Sequence, residues 1–190
     1  MKILKRIAAT LQRRIFRFRR FGNGSIIKPF PRRISGGPYI EIGEDCFFGD
    51  GLVLVATDEH CGVAHTPSCV FGNRCVFGSD AVISCTSSIS IGNNVLTSSR
   101  VFIGDSYHGY EDVTRPVLDQ PMAGEAPVRI GDGCFLGIGA VILPGVTLGR
   151  NCFVGANAVV TRSFDDYSVL AGVPARLVRR YDPATQSWIS

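Results

Sequence analysis

The chain has 190 residues, of which 22 are glycine and 45% are hydrophobic, enough for one domain with a buried core. Its formal charge of +4 hides an asymmetry, because residues 1–33 carry eleven Lys and Arg and no acid, against nine basic and sixteen acidic residues in the rest. This balance argues against a nucleic-acid-binding protein, and no apolar run reaches the roughly 18 residues of a membrane span.

The first predicted element is a basic amphipathic segment, residues 1–33. Eight basic residues of the stretch 2–20 stand among apolar residues near helical spacing: Ile3, Leu4, Ile7, Leu11, Ile15 and Phe18. Because arginines interrupt the apolar runs, the segment is not a secretory signal, and the protein is expected to be cytoplasmic. This helix either lies on the anionic inner face of the membrane through residues 1–20 or caps the open end of the next domain.

A six-residue repeat is predicted to fill residues 34–173. From Ile130 the chain divides into IGDGCF, LGIGAV, ILPGVT, LGRNCF and VGANAV, and the same phase occurs at Ile42, Phe71 and Ile91. A period of six fits neither a helix nor a simple strand, but it fits a short strand followed by a tight turn. Three hexads then form one coil of a solenoid, with first-position residues inside. Glycines are expected at turn positions that need a positive φ.

The repeat resembles that of the hexapeptide-repeat acyltransferases over about residues 38–180. The resemblance implies an all-β domain, a left-handed parallel β-helix, assembled as a homotrimer with sites at the subunit interfaces. A C-terminal helix or tail is predicted over residues 174–190. Cysteines at the fifth hexad position are expected to act as small buried residues in place of alanine: Cys46, Cys75, Cys134 and Cys152.

Two insertions lengthen the repeat, one near residues 56–67 and a protruding loop at 106–127. The first contains His60 and His65, which together with His108 raise the alternative of a metal site like that of the β-helical carbonic anhydrases. Because both lie in an irregular loop, we expect them to be solvated, and we expect no metal.

The segment Asp105-Ser-Tyr-His108-Gly stands where the second insertion begins. It resembles the Asp-His-x-His-Gly segment of sugar O-acetyltransferases of the WbbJ-like and maltose–galactoside type, with Ser106 in place of the first histidine. The resemblance implies that His108 is the general base that removes the proton of the acceptor, a role that suits neutral imidazole near pH 7. Either Asp105 or Glu111 is predicted to orient its ring.

The last coils, Leu136–Arg180, are the strongest match to the family and imply a groove for acetyl-CoA. By that resemblance the contacts with coenzyme A fall on Phe135, Ile138, Ala156, Thr161, Arg162, Arg176 and Arg179. Arginines suit the phosphates of the coenzyme. The chain is thus predicted to be an acetyl-CoA-dependent O-acetyltransferase for a sugar, in capsule, exopolysaccharide or lipopolysaccharide synthesis. An amino-sugar N-acetyltransferase, a carbonic anhydrase-like metal protein and a non-catalytic scaffold are the alternatives.

Overall fold

The computed structural model describes the backbone of residues 2–189 and the side chains of residues 9–189. One helix, Lys2–Phe16, precedes a solenoid whose coils each contribute a short strand to three sheets. Sheet A contains Arg20–Phe21, Ile40–Ile42, Ser68–Phe71, Ser88–Ile91, Val128–Ile130 and Thr147–Leu148.

Sheets B and C complete the triangular section of each coil. Sheet B contains Ile26–Ile27, Phe47–Phe48, Val76–Phe77, Leu96–Thr97, Phe135–Leu136, Phe153–Val154, Ser168–Gly172, Ala175–Asp182 and Ser187–Ile189. Sheet C contains Arg33–Ser35, Val53–Ala56, Val82–Cys85, Phe102–Gly104, Val141–Ile142 and Val159–Val160. The inserted residues add two antiparallel ribbons, one of Glu59–His60 with Val63–Ala64 and one of Tyr107–His108 with Met122–Ala123. Two short 3-10 helices are Gly37–Tyr39 and Val117–Asp119.

Parallel pairing in register stacks equivalent hexad positions above one another. Ile42 pairs with Phe71, Phe71 with Ile91, Ile91 with Ile130 and Ile130 with Leu148, and all these side chains are buried. The inward columns form one continuous core, because the side chains of alternate residues in a strand point to opposite faces. The predicted left-handed parallel β-helix is confirmed.

The corner between sheets A and B is held by the fifth residue of the hexad. Each cysteine predicted to be small and buried is buried, and each donates its thiol to a carbonyl of the next coil at 3.0–3.2 Å. The donor–acceptor pairs are Cys46–Gly72, Cys75–Gly92, Cys134–Gly149 and Cys152–Asp165. These bonds give the partly buried carbonyl groups of the corner a partner and join one coil to the next.

The glycines at the second hexad position serve close packing, so the predicted use of glycine for a positive φ holds only at other turn positions, such as Gly133. A Cβ atom built on Gly43 would lie 2.3 Å from the carbonyl oxygen of Gly72 in the next coil. Positive φ falls instead on the fourth position of the same turns, at Asp45, Arg74 and Asn94. A side chain at Gly43 would therefore push the two neighbouring coils apart.

The solenoid begins at Arg20, earlier than the boundary predicted between residues 33 and 34. The first coil contains a hexad, Phe21 to Ile26, in which Ser25 takes the place that cysteine occupies later. The Ser25 hydroxyl donates to the carbonyl of Gly43 at 2.7 Å, just as the cysteine thiols of later coils donate to the carbonyl of the next coil. The helix Lys2–Phe16 packs on this coil, as the capping alternative predicts.

The predicted C-terminal helix is wrong, because this segment forms strands. Ala175–Asp182 pairs antiparallel with Ser168–Gly172, and Ser187–Ile189 pairs with its other side. After the turn at Gly172, the chain returns along the open edge of sheet B, whose backbone groups would otherwise have no strand partner.

Candidate active site

Both insertions leave the solenoid at the corner between sheets C and A. Residues 57–67 follow the sheet C strand Val53–Ala56, and residues 105–127 follow Phe102–Gly104, two coils further on. They meet outside this corner, where the Cys61 thiol donates to the Leu118 carbonyl at 3.5 Å. A parallel stack brings equivalent corners into one row, and this stacking explains their contact.

The predicted base, His108, lies on the ribbon that Tyr107–His108 forms with Met122–Ala123, and it is exposed. Its ring contacts the ring of His60 edge to face, with centroids 5.2 Å apart and planes at 63°. Tyr107 lines a pocket in the direction of the last coils. Neighbouring residues of a strand point to opposite faces, so His108 and Tyr107 serve opposite sides of the ribbon.

His60 and His65 are not solvated as predicted, because the longer insertion covers them. The side chain of His65 is only 5% exposed, and its Nδ1 lies 3.0 Å from Oε1 of Glu125. The Nε2 atoms of both histidines are buried and have no hydrogen-bond partner among residues 9–189. Within the same residues, no three His, Cys, Asp or Glu side chains are arranged as metal ligands.

Asp105 does not make the contact with His108 that the sequence predicted. It is fully buried, and its carboxylate accepts hydrogen bonds from the backbone N–H groups of Thr86 and Ser87, each at 2.8 Å. The carboxylate also accepts from the Cys85 thiol at 3.5 Å. Asp105 directly follows a sheet C strand, so its side chain enters the corner and fixes the point where the insertion leaves the coil.

A pocket of about 490 Å³ connects the ribbon with the last full coil. It is lined by Phe102, Ser106, Tyr107, Gly124, Ala126, Leu143, Pro144 and Thr161. Thr161, a predicted contact of the coenzyme, thus shares a pocket with the residue next to the predicted base.

The structure also brings together the predicted small contacts of the coenzyme groove. Ile138 and Ala156 lie on consecutive turns between sheets B and C, where the N–H of Asn157 donates to the Ile138 carbonyl at 2.8 Å. Phe135 points outward from sheet B against Phe153, with ring centroids 4.7 Å apart. These residues lie on two neighbouring sides of the same coils.

The predicted arginines are exposed, but none of them lines the pocket that contains Thr161. Arg162 covers the ring of Phe164 at 4.8 Å and lines a second cleft, of about 900 Å³, at the C-terminal end. Arg179 covers the ring of Trp188 at 4.6 Å on the terminal strands, where Arg176 donates to the Ala175 carbonyl. Within this chain, the arginines and the pocket do not form one continuous groove.

The comparisons with known proteins agree with this fold. A family model described as the hexapeptide repeat of succinyl-transferase matches residues 70–98 and 127–162. The chain is 32% identical over 174 residues to a putative lipopolysaccharide biosynthesis O-acetyl transferase, WbbJ, of Escherichia coli, covering 88% of this chain and 85% of that protein. The chain therefore belongs to the hexapeptide-repeat acyltransferase family.

Other relatives and solved structures share parts of this likeness. The probable acetyltransferase Rv3034c of Mycobacterium tuberculosis is 36% identical over 157 residues, 75% of this chain, which spans about half (52%) of that relative. AntD, an N-acyltransferase of Bacillus cereus solved with dTDP and 3-hydroxybutyryl-CoA, superposes with a TM-score of 0.75 at 18% identity, covering 93% of this chain and 90% of its own. At that identity the likeness shows the fold alone. Among the described residues, the helix is neither long nor apolar enough to span a bilayer.

Proposed function

We propose that this protein transfers the acetyl group of acetyl-CoA to a sugar hydroxyl, with His108 as the general base. The observation that carries the proposal is the position of His108 on a ribbon beside a pocket that reaches Thr161. Two relatives support the reaction class by name: WbbJ, and the galactoside O-acetyltransferase of Escherichia coli, 35% identical over 110 residues, 49% of this chain and 54% of that protein.

The reaction requires this chain to accept one proton from the acceptor hydroxyl and then to donate it to the leaving sulfur. The neutral imidazole of His108 takes the hydroxyl proton as the oxygen attacks the thioester carbonyl. The tetrahedral intermediate then expels the thiolate of coenzyme A, and the imidazolium returns the proton to that sulfur. The products are the sugar ester and free coenzyme A, and no covalent enzyme intermediate is needed.

The coenzyme is proposed to lie along the last coils. Ala156, exposed and small, leaves space for the pantetheine arm near the backbone, and the Thr161 hydroxyl offers a hydrogen bond beside it. The other proposed contacts are Phe135, Ile138, Arg162, Arg176 and Arg179. Guanidinium groups pair with phosphate oxygens through two parallel hydrogen bonds, which suits the diphosphate end of the coenzyme.

The base and the coenzyme are proposed to come from different subunits of a homotrimer. His108 faces away from the pocket that Tyr107 and Thr161 line in the same chain. The long insertion also exposes large apolar side chains, with Val113 93% and Leu118 79% exposed. Exposed apolar residues on one loop are typical of a surface that a partner covers.

Replacing His108 with Ala tests the proposed function. We expect transfer to fall about 10²–10⁴-fold, the usual contribution of a general base. The measurement is thiol release from acetyl-CoA with a panel of galactosides, maltose and glucosamine as acceptors. Lys28→Ala, on the first coil, is the matched control. Unchanged transfer in the His108 variant would remove the base assignment, and transfer to glucosamine alone would make the enzyme an N-acetyltransferase.

We also propose that the outer face of the N-terminal helix contacts anionic membrane. Gln12 and Ala9 face the first coil, while Leu11 and Ile15 are 57% and 60% exposed. Exposed Arg13 and Arg14 flank these apolar residues, an arrangement typical of helices that lie on anionic lipid. Capping and membrane contact use different faces of one helix.

Flotation with vesicles tests the membrane contact. We expect the protein to float with vesicles that contain phosphatidylglycerol, and the double variant Leu11→Glu and Ile15→Glu to remain in the dense fraction. A variant of the first coil, Lys28→Ala, is the control. Equal flotation of the double variant would contradict the proposal.

A further inference from the structure

The side chain that supports His108 during the reaction is not Asp105. Both oxygens of that carboxylate accept from backbone N–H groups in the buried corner, those of Thr86 and Ser87. Breaking these bonds to reach His108 would leave buried N–H donors unpaired, which is unfavourable inside a protein. A base in this position therefore needs another partner once it becomes an imidazolium with two N–H donors.

His60 is in contact with the ring of His108. It lies on the ribbon Glu59–His60 with Val63–Ala64, which the other insertion carries to the same corner. The two rings meet edge to face at 5.2 Å, while the Nε2 atom of His60 is buried and unpaired among residues 9–189. A buried imidazole nitrogen without a partner is uncommon in folded proteins and calls for an explanation.

We propose that His60 is a positioning residue that holds His108 and accepts a hydrogen bond from it when it is protonated. Neutral His60, with its proton on Nδ1, presents the Nε2 lone pair as an acceptor. A small rotation of either ring converts the edge-to-face contact into an N–H···N hydrogen bond. His60 then orients and supports the base, as a carboxylate does in a carboxylate–histidine pair. This inference rests on the proposed role of His108 as base.

Magnetic resonance tests the contact without any assay of activity. The chain has three histidines, so ring-labelled histidine gives a spectrum that single variants assign. We expect His60→Phe, which keeps an aromatic ring but removes both nitrogens, to shift the ring signals of His108. Val63→Ala, on the opposite strand of the same ribbon, should leave them in place. Unshifted His108 signals in His60→Phe would overturn the proposal.

Kinetics test the hydrogen bond and separate it from a merely structural role. We expect His60→Phe to lower kcat about 10-fold, part of what the base itself contributes, with an unchanged KM for acetyl-CoA. His60→Gln, whose amide oxygen is an acceptor, should recover most of the loss. Equal kcat in wild type and His60→Phe, or equal loss in both variants together with a lower Tm, would overturn the proposal. Full activity of His108→Ala would instead refute the proposed base, and the spectra would still decide whether the rings interact.

Discussion

Asp105 shows how one buried carboxylate fixes the place where an insertion begins. Its two oxygens pair with the Thr86 and Ser87 N–H groups of the preceding coil, and the Ser106 hydroxyl contacts the Thr86 hydroxyl at 2.8 Å. The corner is therefore closed by polar groups that satisfy one another, although it lies inside the protein. The chain beyond it is free to carry His108, the proposed base.

Replacing Asp105 with Asn should destabilise the fold by about 1–3 kcal/mol, because an amide offers one acceptor oxygen where two N–H donors need one each. Urea unfolding measures the change. Asp119→Asn, in the exposed part of the insertion, should alter the free energy of unfolding by no more than about 0.5 kcal/mol. Equal stability of Asp105→Asn and the wild type would show that the corner does not depend on the charge.

The ionisation of the Cys69 thiol should make the free energy of unfolding depend on pH. A hydrogen bond with the Cys85 thiol, complete burial and the nearby Asp105 carboxylate all raise the pKa of Cys69. In the unfolded chain the thiol ionises near its ordinary value of 9.0, while in the folded chain it keeps its proton. The stability that the protonated Cys69 thiol gives the folded state is therefore complete below pH 9, and it is lost as the pH rises above that value.

We expect Cys69→Val to flatten this alkaline decline. Between about pH 9 and about pH 10, the wild type should lose up to about 1.4 kcal/mol more than the variant, the value of one proton per pH unit. Urea unfolding at each pH gives the two curves. Parallel curves would mean that Cys69 ionises in the folded protein as it does in the unfolded one.

At the scale of elements, the helix Lys2–Phe16 completes the hydrogen bonds of the first coil through one side chain. The Gln12 amide donates to the carbonyl of Ile27 and accepts from its N–H at 3.0 Å, so it occupies the place of a preceding strand. A strand edge at the end of a stack is exposed to other chains unless something covers it. The helix is thus a cap with a specific hydrogen-bonding residue.

Gln12→Ala should loosen this cap and lower stability by about 1–3 kcal/mol, because both backbone groups of Ile27 lose their partner. Gln12→Glu keeps an acceptor but no donor and should also be destabilised. Thermal unfolding compares both with Leu11→Ala on the exposed face, which should unfold close to the wild type. A similar Tm for all the variants would show that packing alone holds the helix.

The strands were predictable from the sequence because their signal repeats, whereas single elements were not. Ile42, Phe71 and Ile130 mark their coils through a period that no helix produces. The first coil was missed because Ser25 stands where later coils have Cys, Ala or Val, although it makes the same hydrogen bond to the next coil. The sequence does not predict the terminal strand Ala175–Asp182, because its partner, the edge of sheet B, is distant in sequence and adjacent only in the folded chain.

The candidate site was predictable only where it follows from the break in the repeat. The sequence singles out His108 because the period stops at Asp105. The surroundings of His60 depend on a contact between two insertions that are distant in sequence, and neither insertion has a period. The break in the repeat predicts an insertion around His60, and the structure has one there. The burial of that insertion by the second one is a tertiary contact, which the spacing does not reveal.

At the scale of the whole molecule, subunit mixing tests whether sites are shared. We expect His108→Ala and Ala156→Trp, which blocks the proposed groove, each to be nearly inactive alone. A mixed trimer holds two subunits of one variant and one of the other, so a single interface joins an intact His108 to an intact groove, and about one third of the sites should be active. Co-expression with two tags and purification of mixed trimers gives the measurement. Activity no greater than the sum of the two variants would place each site within one chain.

The difference between the corners of the solenoid has a consequence for how such proteins diversify. At the corner between sheets A and B, thiols and a hydroxyl join all coils but that of Val95 to the next, and an inserted residue there would break the stack. At the corner between sheets C and A, two insertions of different length leave without disturbing the strands beside them. Loops at that corner can therefore be exchanged, so that a new acceptor specificity can be introduced there while the coils proposed to bind the coenzyme stay unchanged.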